Sequence, residues 1–233
     1  DFPELRLENP KIWWPNGYGK QHLYSFKLAL YDDQGRITDQ KEIRAGIREL
    51  SYELAVSDHK QRMQRVEYNP LSVSQKTLEP LFDNLKHDTI SGGLTIPKLM
   101  KDKYIDYLKK TEGDHPYLFI KVNGQPIFCK GGNWGLDDAM KRVSRDRLEP
   151  YFKLHKEANY TMIRNWVGQS TERVFYELAD EYGLLVWNDF WMSTQNYNFP
   201  PDDHALFMTN AANVVKRYRN HPSIAIWCAR NEG

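Results

Sequence analysis

The residues of this 233-residue chain best placed to do chemistry are Asn231 and Glu232, at the end of the stretch Ser223-Ile224-Ala225-Ile226-Trp227-Cys228-Ala229-Arg230. A carboxyl group at the carboxyl end of an apolar parallel strand is costly in a core, but it is where α/β folds carry their chemistry. There it can act as a proton donor. The competing reading is a surface carboxylate at a strand end. Three other stretches have the same make-up: Gly131-Gly132-Asn133-Trp134, Asn165-Trp166 and Asn188-Asp189-Phe190-Trp191. Each sets an amide beside an aromatic ring or an acid.

Bringing these stretches to one edge requires a parallel sheet, and the sequence pattern predicts one. Apolar strands are expected at Pro126–Cys129, Tyr160–Arg164, Leu184–Trp187 and Ser223–Cys228. Helices are expected between them. The first is Arg145–Glu157, with Ser144 as N-cap and Leu148, Phe152 and Leu154-His155 on its inner stripe. The second is Thr171–Tyr182, capped by Ser170 and stopped by Gly183. The third is His204–Arg219, which ends before His221-Pro222. Alternating strands and helices imply right-handed crossovers, so all four strands end on the same edge. Four amide-bearing strand ends on one edge describe a polar, aromatic-walled pocket at the carboxyl face of a barrel. The rival is a doubly wound nucleotide-binding fold. Gly131-Gly132-Asn133-Trp134-Gly135 is glycine-rich but lacks the Gly-x-Gly-x-x-Gly spacing that a phosphate loop needs. A barrel has eight strands, so four read as the first half of one.

Upstream, residues 1–56 read as antiparallel β. Trp13-Trp14-Pro15-Asn16-Gly17 is a turn in which Pro presets φ and Asn-Gly takes positive φ. From His22 to Tyr31 the pattern alternates, with Tyr24, Phe26, Leu28 and Leu30 on one face. Asp32-Asp33-Gln34-Gly35 turns the chain into a polar strand through Ile37 and Ile43 to Ile47, with Gly46 as a bulge. One buried face implies a β-sandwich, and so few strands imply that others precede Asp1. Residues 57–115 carry the least pattern. A helix is predicted over Pro97–Lys110, with its lysines on a solvated face. Tyr117–Val122 and Gln125–Phe128 flank Asn123-Gly124, a hairpin signal.

With 32 basic and 31 acidic residues, the chain gives no reason to expect nucleic acid or an anionic membrane as partner. No apolar run approaches the ~18 residues of a membrane span, and Asp1-Phe2-Pro3-Glu4 has no signal-peptide character. Cys129 and Cys228 are expected as buried thiols within strands. No metal-ligand spacing is visible, so no cofactor is implied. Seven Trp and fourteen Tyr suit stacking on sugar faces, and equally suit ordinary cores.

Taken together, these motifs resemble glycoside hydrolase family 2, nearest its β-mannosidase and exo-β-glucosaminidase branch. Trp13-Trp14-Pro15-Asn16-Gly17, Leu23-Tyr24 and Gly46-Ile47-Arg48 resemble the end of that family's immunoglobulin-like sandwich. Phe128-Cys129-Lys130-Gly131-Gly132-Asn133 resembles the opening of its TIM barrel. Met162-Ile163-Arg164-Asn165-Trp166, Leu185-Val186-Trp187-Asn188-Asp189-Phe190 and Asn220-His221-Pro222-Ser223 through Asn231-Glu232 resemble its second, third and fourth strands. The resemblance implies an α/β plus β chain: a partial immunoglobulin-like β-sandwich followed by the first four β/α units of a TIM barrel. The expected domains are 1–56 for the sandwich, 57–115 for an insertion, and 116–233 for the half-barrel.

It also implies a retaining exo-β-glycosidase acting on terminal β-mannosides or related sugars, with a carbohydrate as partner and no cofactor. A secreted, periplasmic or lysosomal home would follow. Glu232 resembles the general acid, later the general base, with the nucleophile beyond Gly233. Asn231 resembles the amide that holds the 2-hydroxyl, Arg164 the arginine that orients the nucleophile, and Trp166 a wall of the sugar pocket. Asp189, Trp134 and Asp137 are further candidates for hydroxyl contacts. Against these stand structural readings: a buried ion pair for Arg164, and barrel packing for Trp166 and Trp134. A non-catalytic carbohydrate-binding module on a degenerate barrel is the alternative for the whole.

Overall fold

The computed structural model describes residues 6–57, 63–77, 80–89, 95–99, 118–193 and 201–232. Along the chain run β1 (Tyr24–Tyr31), β2 (Ile37–Ala45), β3 (Leu50–Ser57), β4 (Met63–Tyr68), a short α1 (Pro70–Ser74), β5 (Phe82–Thr89) and β6 (Thr95–Leu99). They are followed by β7 (Phe119–Val122), β8 (Gln125–Ile127), β9 (Gly131–Trp134), α2 (Arg145–Glu157), β10 (Met162–Asn165) and α3 (Arg173–Tyr182). The last elements are β11 (Leu185–Asp189), α4 (His204–Tyr218) and β12 (Ile224–Cys228). They form two compact units, one of residues 1–48 with 128–233 and one of residues 49–127. Among the described residues no helix is long and apolar enough to cross a membrane.

In the first unit, β9 to β12 make a parallel sheet in the unbroken order β12-β11-β10-β9. Ile163, Val186 and Ile224 lie in one cross-strand row and are buried. They pack against Leu148 and Phe152 of α2, Phe175, Leu178 and Ala179 of α3, and Tyr218 of α4. Each such apolar side chain contributes roughly 1.5–3 kcal/mol on burial. All three helices therefore cover one face of the sheet. A doubly wound fold reverses its strand order and takes helices on both faces; a sequential order with helices on one face is the wall of a barrel. By strand alternation the other face carries Met162, Arg164, Leu185, Trp187 and Asp189.

The helix bounds largely follow the pattern. α2 matches its expected span, and Gly183 ends α3 with φ 74°. Three details differ. Leu154 is exposed, so only Leu148 and Phe152 of the expected stripe are core. α3 starts at Arg173 behind Glu172 rather than Ser170, whose backbone is tied to Asn165 instead. Ser144 stands at the N-cap of α2 without a capping side-chain bond.

The first barrel strand also differs. Pro126 and Ile127 belong to β8, which pairs with β7 in an antiparallel sheet, and β9 opens the barrel in their place. The glycines explain this. A Cβ at position 131 would lie 1.7 Å from the Met162 carbonyl oxygen, so β9 can lie against β10 only with glycine there. Cys129 then falls between strands and is exposed, while Cys228 ends β12 half-buried. Neither is the buried strand thiol expected.

The N-terminal segment contributes the ribbon β1-β2. Its alternation is as read, but Leu28 and Leu30 are exposed, as is Ile37 on β2. Gly46 is not a bulge. It lies past β2, where a Cβ would meet Pro222 at 2.7 Å and Trp13 at 3.0 Å. In the turn before β1 only Gly17 takes positive φ. Asn16 instead spends its amide on the barrel, donating to the carbonyls of Lys156 and Tyr160 at 3.0 and 2.9 Å.

The second unit holds an antiparallel sheet of order β4-β3-β7-β8 and a ribbon β5-β6. Asn123 and Gly124 turn β7 into β8, both with positive φ, as an Asn-Gly hairpin requires. Val56, Val66 and Leu81 form its core. Arg65 is buried, pairs with Glu53 at 3.3 Å and lies 4.2 Å over the Phe119 ring. The helix expected over Pro97–Lys110 is contradicted at its start, because Thr95–Leu99 is a strand paired with β5. The remainder of that span lies outside the described residues.

Candidate active site

Arg164 sits near the end of β10, on the sheet face away from the helices. Its Nε and one terminal nitrogen donate to the two oxygens of Asp189 on β11 at 3.2 and 2.7 Å. This forked pairing suits a planar guanidinium. The same terminal nitrogen donates to Asn231 Oδ1 at 2.9 Å. Asp189 is fully buried. Its Oδ2 also accepts the Val167 N–H at 3.1 Å, so both oxygens are taken by protein donors.

Val167 lies in the 3-10 turn Trp166–Gly168 that follows β10, and it has φ 54°. A β-branched residue is strained in that region. Gly168 beside it has φ 57°, and a Cβ there would come 2.4 Å from the Asp189 carbonyl. Asp189 thus holds the turn from its side chain and crowds it from its backbone. The turn carries Trp166, which is half-buried.

Asn231 is 96% buried, and its N–H donates to the Met192 carbonyl at 3.0 Å. With Oδ1 turned to Arg164, its Nδ2 donors face elsewhere, and a ligand oxygen is a partner they can serve. Glu232 follows, exposed and with φ 50°. The site therefore joins Arg164, Asp189, Asn231 and the turn bearing Trp166, with Glu232 adjacent in the chain. Its chemistry is that of a carboxyl able to exchange protons, beside a fixed amide and an aromatic wall.

Two expected residues stand apart. Trp134 faces the helices, because strand alternation puts it in one row with Asn165. It is buried, rings from Phe152 and Phe175 lie 5.7 Å away, and its Nε1 donates to Ser170 Oγ at 2.9 Å. Asp137 pairs with Arg147 at 2.9 Å and accepts from the Tyr151 hydroxyl at 3.1 Å. Its neighbour Asp138 accepts from Arg142, whose hydrogen bonds hold that carboxyl well below the usual range.

Sequence pattern alone assigns no individual role to two further groups. Trp187, in register with Arg164, lies on the same sheet face, with the guanidinium 5.9 Å over its ring. Its position two residues before Asp189 is the signal that could have found it. Behind the sheet, Asn165 donates to Asn188 Oδ1 at 2.9 Å, and so does the Tyr176 hydroxyl at 2.7 Å. Burial pushes the Tyr176 phenol up, which keeps it a donor. These amides brace the strand ends from outside.

Two family models match this chain: Glycosyl hydrolases family 2 over residues 1–48, and Glycosyl hydrolases family 2, TIM barrel domain over residues 118–233. The chain belongs to glycosyl hydrolase family 2. Among family relatives, a mannosylglycoprotein endo-beta-mannosidase of Lilium longiflorum is 31% identical over 99% of this chain and 19% of its own length. Beta-mannosidase B of Thermothelomyces thermophilus is 40% identical over 97% of this chain and 20% of its own. The crystal structure of a beta-D-mannosidase from Dictyoglomus thermophilum superposes with a TM-score of 0.61 at 30% identity, over 97% of this chain and 21% of that one. The exo-chitosanase of Amycolatopsis orientalis shares the fold, with a TM-score of 0.56 at 19% identity over 94% of this chain and 20% of that one. The chain thus spans about a fifth of the length of these relatives. Its fold is that of the family: part of the sandwich, followed by the opening strands of the TIM barrel.

Proposed function

We propose that this chain supplies the acid/base half of the active site of a retaining exo-β-glycosidase that removes terminal β-mannose or a related sugar. The observation that carries the reading is the Arg164 guanidinium, which gathers Asp189 and Asn231 beside Glu232 at the carboxyl edge of a parallel sheet. The β-mannosidase names of the relatives support the sugar.

In this mechanism the terminal sugar lies against Trp166, and Asn231 Nδ2 donates to its 2-hydroxyl. Glu232 protonates the departing glycosidic oxygen as the bond breaks. A second carboxylate, about 5–5.5 Å away, attacks the anomeric carbon from the opposite face. Glu232 then removes a proton from the water that releases the sugar. Asp189 is a weak candidate for the second carboxylate, because both its oxygens are engaged by Arg164 and Val167. We assign the nucleophile to a later barrel strand of a longer polypeptide. The apolar recess of about 910 Å³ beside α4 and β12, lined by Phe190, Phe207 and Trp227 among others, would seat the next β/α unit.

The test is hydrolysis of an aryl β-mannoside followed by NMR, with residues 1–233 and the full-length parent side by side. The parent should release the β-anomer first, and residues 1–233 alone should be inactive. An α-anomer formed first would mean inversion, and turnover by the shorter chain would remove the missing nucleophile. The lily relative's name specifies endo action. Cleavage inside a mannan oligosaccharide, with no terminal mannose released, would overturn the exo reading.

A further inference from the structure

Arg48 follows β2 in the sequence but acts at the start of β12. Its Nε donates to the Pro222 carbonyl at 2.8 Å, and a terminal nitrogen donates to the Ile224 carbonyl at 2.6 Å. Between them, the Ser223 N–H donates to Asp180 Oδ1 at 3.1 Å, and His221 Nδ1 lies 2.6 Å from the other oxygen of Asp180. Four consecutive residues, His221 to Ile224, are thus gripped from α3 and from the N-terminal segment. The gripped residues His221, Pro222, Ser223 and Ile224 are all buried.

Immediately beyond it, β12 gains one residue on its neighbour. Val186 of β11 faces Ile224, but Trp187 faces Ile226, so Ala225 is extra. After this bulge Asn188 faces Trp227 and Asp189 faces Cys228. One residue decides which side chains of β12 share a face with Arg164, because side chains alternate along a strand. With the bulge in place, Cys228 aligns with Asp189 and Asn231 reaches Arg164. A slip by one residue would turn every later side chain over.

We propose that Arg48 is a positioning residue: it fixes the bulge at Ala225 and so sets the register in which β12 delivers Asn231 and Glu232. This rests on the reading of those two residues given above. Its two donors meet carbonyls two residues apart, which a rigid planar fork can do and a single ammonium does less well. Arg48 lies at the opposite end of β12 from the sugar, so its loss acts on alignment and not on binding.

Arg48→Met and Arg48→Lys in the full-length protein test this, with Glu232→Gln alongside. Misplacing a catalytic group by ~1 Å costs on the order of 10²-fold, so Arg48→Met should lower kcat on a poorly activated β-mannoside by about that factor with KM little changed. Arg48→Lys should lie between it and the wild type. The loss should shrink on a dinitrophenyl mannoside, which needs little protonation. Amide hydrogen exchange over residues 225–231 should quicken in both variants. Folded variants with wild-type kcat, or a raised KM with kcat unchanged, would overturn the proposal. If Arg48→Met does not fold, Arg48→Lys decides. If the wild type cleaves no β-mannoside, or Glu232→Gln matches it on every substrate, the acid/base reading fails instead. The register claim then stands or falls on hydrogen exchange, and unchanged exchange would overturn it.

Discussion

Arg164 on β10 donates to Asn231 beyond β12 across 2.9 Å, although β11 lies between the two strands in the sheet. The contact ties the last strand's end to the middle of the sheet and fixes how Asn231 presents its amide. It also makes Arg164 answerable for two things at once, stability and alignment.

Arg164→Met should show both. It leaves the buried Asp189 carboxylate with the Val167 N–H but without its charged partner. Removing one member of a buried pair costs about 3–5 kcal/mol. A large drop in melting temperature is therefore expected. Arg164→Lys keeps the charge and should recover most of the stability but not kcat. Arg164→Met melting like the wild type would contradict the pairing as described.

Asn231 and Trp166 should separate kinetically. If the Asn231 amide binds the sugar most tightly in the transition state, Asn231→Ala should lower kcat more than it raises KM. Trp166→Ala removes a wall and should chiefly raise KM. Steady-state kinetics on a β-mannoside in the full-length protein would distinguish them. Near-normal constants in folded variants would return both residues to packing.

Much of this arrangement could be read from the residues. α2, α3, α4 and β10 to β12 announce themselves because apolar residues recur at helical spacing in the helices, cluster in short runs in the strands, and stop at Gly183 and His221-Pro222. The strand ends could be read as one polar edge because parallel crossovers leave no other choice. β9 was hidden because Gly131-Gly132-Asn133-Trp134 has almost no apolar content, and its glycine is there to admit the Met162 carbonyl. A neighbouring run, Pro126–Cys129, has the composition of a strand, but only Pro126 and Ile127 of it are paired, and in another sheet. Trp134 was misleading for a related reason: without the true strand its face could not be assigned. The strand that leads to Asn231 carries a bulge at Ala225, and no pattern of apolar residues reveals a single extra residue in a buried strand.

Glu181 on α3 gives a pH-dependent test of how the N-terminal segment is attached. Its carboxylate is shared by Arg44 of β2 and by Arg145 of α2. Burial pushes it up, but the Arg145 and Arg44 guanidiniums pull it further down, so it lies below the ordinary carboxylate range. A depressed carboxylate stabilises the fold above its unfolded value, about 4.3 for Glu, and that contribution is lost as pH falls through the folded value. Glu181→Gln should cost about 1–3 kcal/mol at pH 7, and the gap to wild type should close as pH drops well below about 4. Melting temperatures across pH 3–7 would show it. A constant gap would mean that Glu181 acts through packing.

The central claim is that Glu232 is the proton donor. The most direct measurement is the glycosylation rate of Glu232→Gln in the full-length protein, on a β-mannoside with a poor leaving group and on a dinitrophenyl β-mannoside. General acid catalysis contributes roughly 10²–10⁴-fold. The expected result is a loss of that size on the first substrate and a far smaller one on the second. Equal losses on both, or none on either, would contradict the account.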